Sequence, residues 1–142
     1  MKNKYFTYKK SGVSISNAEK FVKYISVVSK KTINNKTKLS SFKNIGSFGS
    51  VFDLSKLKIK KPLIVSSTDG VGTKIEIANE LKSFDAIGTD LVAMCVNDLI
   101  VQGARPLFFL DYISTNKINL TVLKKIIKGV VHACKKSKCE LS

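Results

Sequence analysis

The sequence has almost no arginine. Of its 25 basic residues only Arg105 is one, and with 10 acids the net charge is +15. Dedicated readers of phosphate backbones and base edges lean on arginine, whose planar fork matches both. Here the lysines are spread over the N-terminal arm, the 30–43 segment and the C-terminal helix. That distribution reads as compositional bias, and nucleic acid is not an expected partner. No apolar run approaches 18 residues, so no membrane span is expected. The basic start, MKNKYFTYKK, has no apolar segment behind it, which argues against a secretory leader. The three cysteines, Cys95, Cys134 and Cys139, are odd in number and lack paired spacing. Reduced thiols in a cytoplasmic protein are the expectation. Cys134 and Cys139 alone do not make a zinc site.

What is present suits one globular domain with a real core: 142 residues, 44% hydrophobic and 8% aromatic. Ser16-Asn17-Ala18-Glu19 has the form of a capping box. Ala18, Phe21, Val22, Ile25 and Val28 then follow helical spacing, which predicts a helix over about 17–29. Lys30 to Lys43 reads as a linker or mobile loop. Ser47–Leu54, SFGSVFDL, is an expected strand. Pro62–Thr68, PLIVSST, is nearly all apolar, the mark of a central buried strand. Ile75 to Ala78 continues as another strand or leads into a short helix. A helix follows at about 86–102, with Asp85 as cap, Gly103 in the left-handed position after its end and Pro106 beyond. PLFFLDYIS is a buried strand. Asn119 caps a second long helix whose Leu123, Ile126, Ile127, Val130, Val131 and Cys134 face the core. CELS starts another strand. Alternating β and α elements make this an α/β or α+β domain.

The chemistry is concentrated after PLIVSST, where Asp69, Gly70, Gly72, Thr73 and Lys74 crowd together. The glycines permit a sharp turn and close approach of a ligand. Asp69 offers oxygen to a hard cation of the Mg²⁺ type, and Thr73 and Lys74 offer a hydroxyl and a positive charge to phosphate. Neither the P-loop nor the dinucleotide fingerprint fits, since Lys74 follows Thr73 and position 75 is Ile75. A tight Asp-Gly turn with no ligand is the bland reading, and spacing alone leaves both open. The 86–102 helix favours a site. It is apolar yet carries Asp90, Asn97 and Asp98. Asp90 and Asn97 lie about 20° apart on the helical wheel, and Asp98 about 80° from Asp90. Buried carboxylates are costly unless paired or metal-bound. Asp69 with Asp98 supplies two acids able to share Mg²⁺ with ATP phosphates and water. In NIGSFGSVF, Gly46 and Gly49 bracket Phe48, a weak signal for a loop closing over a nucleotide. His132 reads as a surface residue, and Cys95 and Cys134 as core.

The blocks YKKSGVSI, GSFGSVFDL, SSTDGVGTK, IGTDLVAMCVNDLIVQGARPLFFLDYIS and CKKSKCEL occur in that order. Together they resemble the N-terminal domain of the phosphoribosylformylglycinamidine cyclo-ligase (aminoimidazole ribonucleotide synthetase) family. The resemblance covers nearly the whole chain, least well at 30–43. It implies two α/β domains per subunit, with N-terminal domains paired across a two-fold axis into a barrel-like core and ATP in a groove there. It implies ATP-driven activation of the amide oxygen of formylglycinamidine ribonucleotide as an iminophosphate, followed by imidazole ring closure in purine biosynthesis. On that basis Asp69 and Asp98 are the Mg²⁺–phosphate acids and should approach one another. Lys74, the catalytic candidate, contacts phosphate. Gly70, Gly72 and Thr73 shape the turn, and Gly46, Ser47, Phe48 and Gly49 form the glycine-rich loop. Asn97 is a further nucleotide-site candidate, with Asp90 either in the site or structural.

The chain departs from the family pattern in places. Gly46-Ser47-Phe48-Gly49 replaces Gly-Gly-Phe-Gly, Ser66-Ser67-Thr68-Asp69 replaces Ser-Gly-Thr-Asp, and Arg105 stands where Glu is frequent. The family also continues into Gly-Gly-Glu-Thr-Ala-Glu and a second domain. The expected organisation is an N-terminal helix and mobile lysine-rich segment over 1–45, then an ATP-binding α/β domain over 46–142 cut short at its C-terminal end. Alone, such a chain is expected to be inactive in ring closure, as a truncated product or as half of a split enzyme with a separate C-terminal partner. A non-catalytic dimerising fragment and a kinase-like relative in the same superfamily are the alternatives.

Overall fold

The computed structural model describes residues 7, 8, 10–33, 38, 39, 44–47 and 49–142. Its helices are α1 (Ile15–Val28), α2 (Lys74–Leu81), α3 (Ile87–Val101) and α4 (Leu120–Lys136), with 3₁₀ turns at Ser29–Thr32 and Leu54–Leu57. Its strands are β1 (Phe108–Phe109) and β2 (Glu140–Leu141), paired in parallel with Phe108 opposite Glu140 and Phe109 opposite Leu141. This is a mixed α/β arrangement in which helices dominate. Among the described residues no helix is long and apolar enough to cross a membrane.

The core forms around α4. Asn119 Oδ1 accepts from the Thr121 and Val122 amides at 3.1 and 3.3 Å, which starts the helix where expected. Leu123, Ile127, Val130, Val131 and Cys134 are buried against Phe21 of α1, Val92 and Cys95 of α3, and Phe109 and Leu141 of the strand pair. Helices α3 and α4 touch backbone to backbone. A Cβ placed on Gly88 would lie 2.0 Å from the Ile126 carbonyl oxygen, and one on Gly129 3.0 Å from the Thr89 nitrogen. This crossing fixes where the polar face of α3 points.

α3 ends as its sequence dictates. Gly103 takes φ +70°, its amide bonds the Ile100 carbonyl at 2.9 Å, and the Ala104 amide bonds the Leu99 carbonyl at 2.9 Å. That is the Schellman pattern. α4 closes in the same way, with Lys138 rather than glycine at positive φ.

Several expectations need correction. α1 begins at Ile15, because Ser14 rather than Ser16 caps it by accepting from the Asn17 amide at 3.3 Å. Asp85 does not cap α3; it pairs with Lys125 at 3.3 Å instead. Of the two readings of residues 75–78, the short helix is the one formed, as part of α2. Among the described residues of 47–54 none lies in a strand. Only Phe52 makes an isolated bridge, and Asp53 accepts from the Ser55 amide and hydroxyl, which turns the chain into a 3₁₀ helix. The 62–68 run is neither buried nor laddered, and Leu63 is 95% exposed. An apolar run signals burial but does not supply the strand that pairs with it, and no other described segment does so. PLFFLDYIS pairs only at Phe108 and Phe109, leaving Tyr112 89% exposed. CELS does begin a strand, at Glu140. In the 30–43 stretch read as a linker, residues 34–37 and 40–43 lie outside the described set, while Thr32 and Leu39 are buried. The Leu141 amide donates to Thr32 Oγ1 at 2.9 Å, and the Leu39 amide to Glu140 Oε2 at 3.3 Å.

Candidate nucleotide-binding site

Residues 67–74 run antiparallel along α3. At one end Ser67 Oγ donates to Asp98 Oδ2 at 3.2 Å. In the middle the Asp69 backbone amide reaches the Cys95 thiol. At the other end Lys74 Nζ donates to Asp90 Oδ2 at 2.7 Å. The turn between them is tight: Asp69 Oδ1 accepts from the Gly70 amide at 2.6 Å, and Gly72 sits at φ +58°. The Ile75 and Glu76 amides then bond the Gly72 and Thr73 carbonyls at 3.1 and 3.0 Å. The turn therefore feeds straight into α2, with Lys74 as its first residue.

The charges of both acids expected to hold a cation act on the same thiol. Burial pushes the Cys95 thiol up, and the charges of Asp69 and Asp98 add to that rise, while the Asp69 amide opposes it. Asp69 and Asp98 are themselves exposed. Two carboxylates from separate elements, both free to face water, form a suitable donor set for Mg²⁺, which favours oxygen ligands and keeps several waters. Among the described residues no group of three or more metal-ligating acids, histidines or cysteines forms. A cation held here would draw its other ligands from water and phosphate.

Lys74 meets an acid of α3 other than Asp98. Its ammonium is bound to Asp90 in the first turn of α3. Asp90 and Asp98 are eight residues apart, about 12 Å along the helix. Asn97 is exposed on α3. The glycine-rich loop is at another place. Gly46 has φ +87°, and a Cβ there would meet Val22 of α1 at 3.2 Å. Ser47 Oγ donates to the Asn44 and Gly49 carbonyls at 2.6 and 2.7 Å. Phe48 lies outside the described residues.

An open groove of about 1500 Å³ runs past Asp69, Gly70 and Cys95 and under Phe109, Asp111 and Tyr112. Gly46, Ser47 and Gly49 are not in its walls. Asp111 was not singled out in the sequence. Its Oδ2 is buried without a partner among the described residues, and burial pushes its carboxyl up, against the Tyr112 amide, which lowers it. The Cys134 thiol is pushed up by its hydrogen bond with Cys139, by burial and by the Cys139 and Asp111 charges. Cys95, Cys134 and Cys139 are all buried free thiols, as befits core residues, and His132 is exposed.

Residues 53–142 match the family described as AIR synthase related protein, N-terminal domain. The chain belongs to this family. It is 48% identical over 135 residues to a phosphoribosylformylglycinamidine cyclo-ligase of Thermodesulfovibrio yellowstonii, covering 95% of this chain and 38% of that protein. The corresponding enzyme of Macrococcus caseolyticus is 44% identical over 135 residues, with the same 95% and 38% coverage. The human trifunctional purine biosynthetic protein adenosine-3 is 47% identical over 135 residues, which are 95% of this chain and 13% of that protein. The chain thus spans well under half the length of these relatives. Ser67 stands where the family pattern has glycine. Its hydroxyl contact to Asp98 could not be read from the residue alone.

Proposed function

We propose that this chain is the N-terminal, ATP-binding part of a ligase that closes the imidazole ring of formylglycinamidine ribonucleotide in purine biosynthesis. The observation that carries the proposal is the lie of residues 67–74 along α3. It gathers Asp69, Asp98, Lys74 and Asp90 along one helix in a chain whose relatives are named cyclo-ligases. Asp69 and Asp98 would hold Mg²⁺, which shields phosphate charge when bound. The Gly70–Thr73 turn lets phosphate approach the backbone. Lys74 adds a positive charge once it leaves Asp90 for the incoming anion. The chain's own contribution is then to bind and orient ATP so that its terminal phosphate lies in line with the substrate's amide oxygen.

Ring closure is proposed for this chain together with the part of the relatives' length that it does not span. A second copy is the proposed cover for the exposed Leu63–Val65 run, Leu110 and Tyr112, because exposed, extended apolar segments with unpaired backbone invite pairing with another chain. Sedimentation should show a dimer; a folded monomer at high concentration would argue against that part of the proposal. The activity is tested by supplying the C-terminal portion of the Thermodesulfovibrio relative, fused or in trans. ATP-dependent ring closure should appear with it and not with this chain alone. A folded, complete assembly that turns over no substrate would contradict the assignment.

A further inference from the structure

Asp90 is the fixed half of its pair with Lys74. It lies in the first turn of α3, where an acid suits the positive end of the helix. Its amide bonds the Ala86 carbonyl at 2.9 Å. The two residues before it are pinned to α4. Thr89 Oγ1 donates to the Gly129 carbonyl at 3.4 Å, and Gly88 packs on the Ile126 and Val130 backbone. The Asp90 side chain is 30% exposed, against 57% for Lys74. Lys74 is therefore the half that can move. It opens α2, and the residue before it, Thr73, gives that helix no side-chain cap. The ammonium is the group that an arriving anion meets, and Asp90 is an anion already on it, 2.7 Å away.

We propose that Asp90 is a positioning residue for Lys74 that competes with phosphate for the ammonium, and so limits how tightly a phosphate chain is held. The inference rests on the ATP-binding reading above and adds to it an acid that touches no ligand. An anion that takes Lys74 must first part it from Asp90. Its apparent affinity is lowered by the fraction of chains in which Lys74 is free. For a pair open to water on both sides that factor reaches about five. The exchange also runs in reverse: as phosphate leaves, Asp90 takes the ammonium back. Without Asp90 the site would release phosphate more slowly, since affinity changes of this kind fall mostly on the off-rate. A ligand with no phosphate, such as adenosine, is indifferent to the pair.

The test is calorimetric titration of inorganic tripolyphosphate, MgATP and adenosine into the whole chain, as wild type, Asp90→Asn and Asp90→Glu. Asp90→Asn should bind tripolyphosphate about three- to fivefold tighter than wild type, with MgATP tightened by a similar factor and adenosine unchanged. Asp90→Glu keeps the carboxylate and should return toward wild type. A merely structural role would give a loss of binding, not a gain. Unchanged or weaker tripolyphosphate binding in Asp90→Asn overturns the competition, as does an equal gain for adenosine. A wild-type chain that takes neither MgATP nor tripolyphosphate overturns the ATP-binding reading itself, a separate outcome. If Asp90→Asn does not fold, carbon NMR of the wild-type carboxylates decides. The Asp90 carboxyl signal should shift as tripolyphosphate saturates the chain. A signal that stays in place at saturation overturns the exchange.

Discussion

Ser67 Oγ and Asp98 Oδ2 stand 3.2 Å apart and join the end of the extended 62–68 run to the last turns of α3. The bond is exposed, so Ser67→Ala should change stability by no more than about 0.5 kcal/mol. MgATP affinity should fall only about two- to threefold, because Asp98 keeps its charge and loses one orienting donor. Asp98→Asn should cost about tenfold or more. An equal loss in the two variants would place Ser67 itself on the ligand.

Lys74 is bound to Asp90 across 2.7 Å, with both side chains partly open to water. Pairs of this kind contribute at most about 1 kcal/mol. Asp90→Asn should therefore leave the melting temperature nearly unchanged. Lys74→Ala should lower MgATP affinity by about tenfold, the loss of a charge-assisted contact. If Asp90→Asn unfolded the protein and Lys74→Ala bound MgATP normally, the pair would be a structural clamp.

Gly88 is where α3 presses on α4. A methyl group there would sit 2.0 Å from the Ile126 carbonyl oxygen and 2.6 Å from the Val130 nitrogen, both backbone atoms that cannot swing away. Gly88→Ala should destabilise the fold by about 3 kcal/mol, the upper range for overpacking, despite alanine's better helix propensity. Chemical denaturation measures it. A neutral or stabilising substitution would mean that the helices do not cross at this glycine.

Asp111 holds its proton more tightly in the folded chain than in the unfolded one, because burial opposes its charge. With the folded value raised, the folded state binds more protons just above the ordinary aspartate range. Stability therefore falls as pH rises through that window toward the raised value. Asp111→Asn removes the dependence and should raise the melting temperature at pH 7 relative to wild type, with the gap closing below pH 4. A variant less stable than wild type at pH 7, with the difference shrinking toward acid, would mean that the carboxylate is paired.

Much of the helical frame was legible because its signals are local. Asn119 caps α4, its apolar residues recur at helical spacing, and Gly103 stops α3; each acts within a few residues. The Asp69–Lys74 cluster was legible by residue type and the acid face of α3 by its wheel. The partner of Lys74 was not, since Asp90 lies sixteen residues on and only the fold brings α2 beside it. Gly88 looks like a weak helix former until its neighbour in α4 is known. Leu63 to Val65 misled for the opposite reason: the run states a demand for burial, and no described segment satisfies it.

The most direct measurement is calorimetric titration of ATP into this chain with Mg²⁺ and with Mg²⁺ removed by chelation, for wild type, Asp69→Asn and Asp98→Asn. Wild-type binding should depend on Mg²⁺, and each variant should lose about tenfold or more in MgATP affinity while its circular dichroism is unchanged. ATP binding that is indifferent to Mg²⁺ and to both acids would contradict the placement of the nucleotide phosphates along α3.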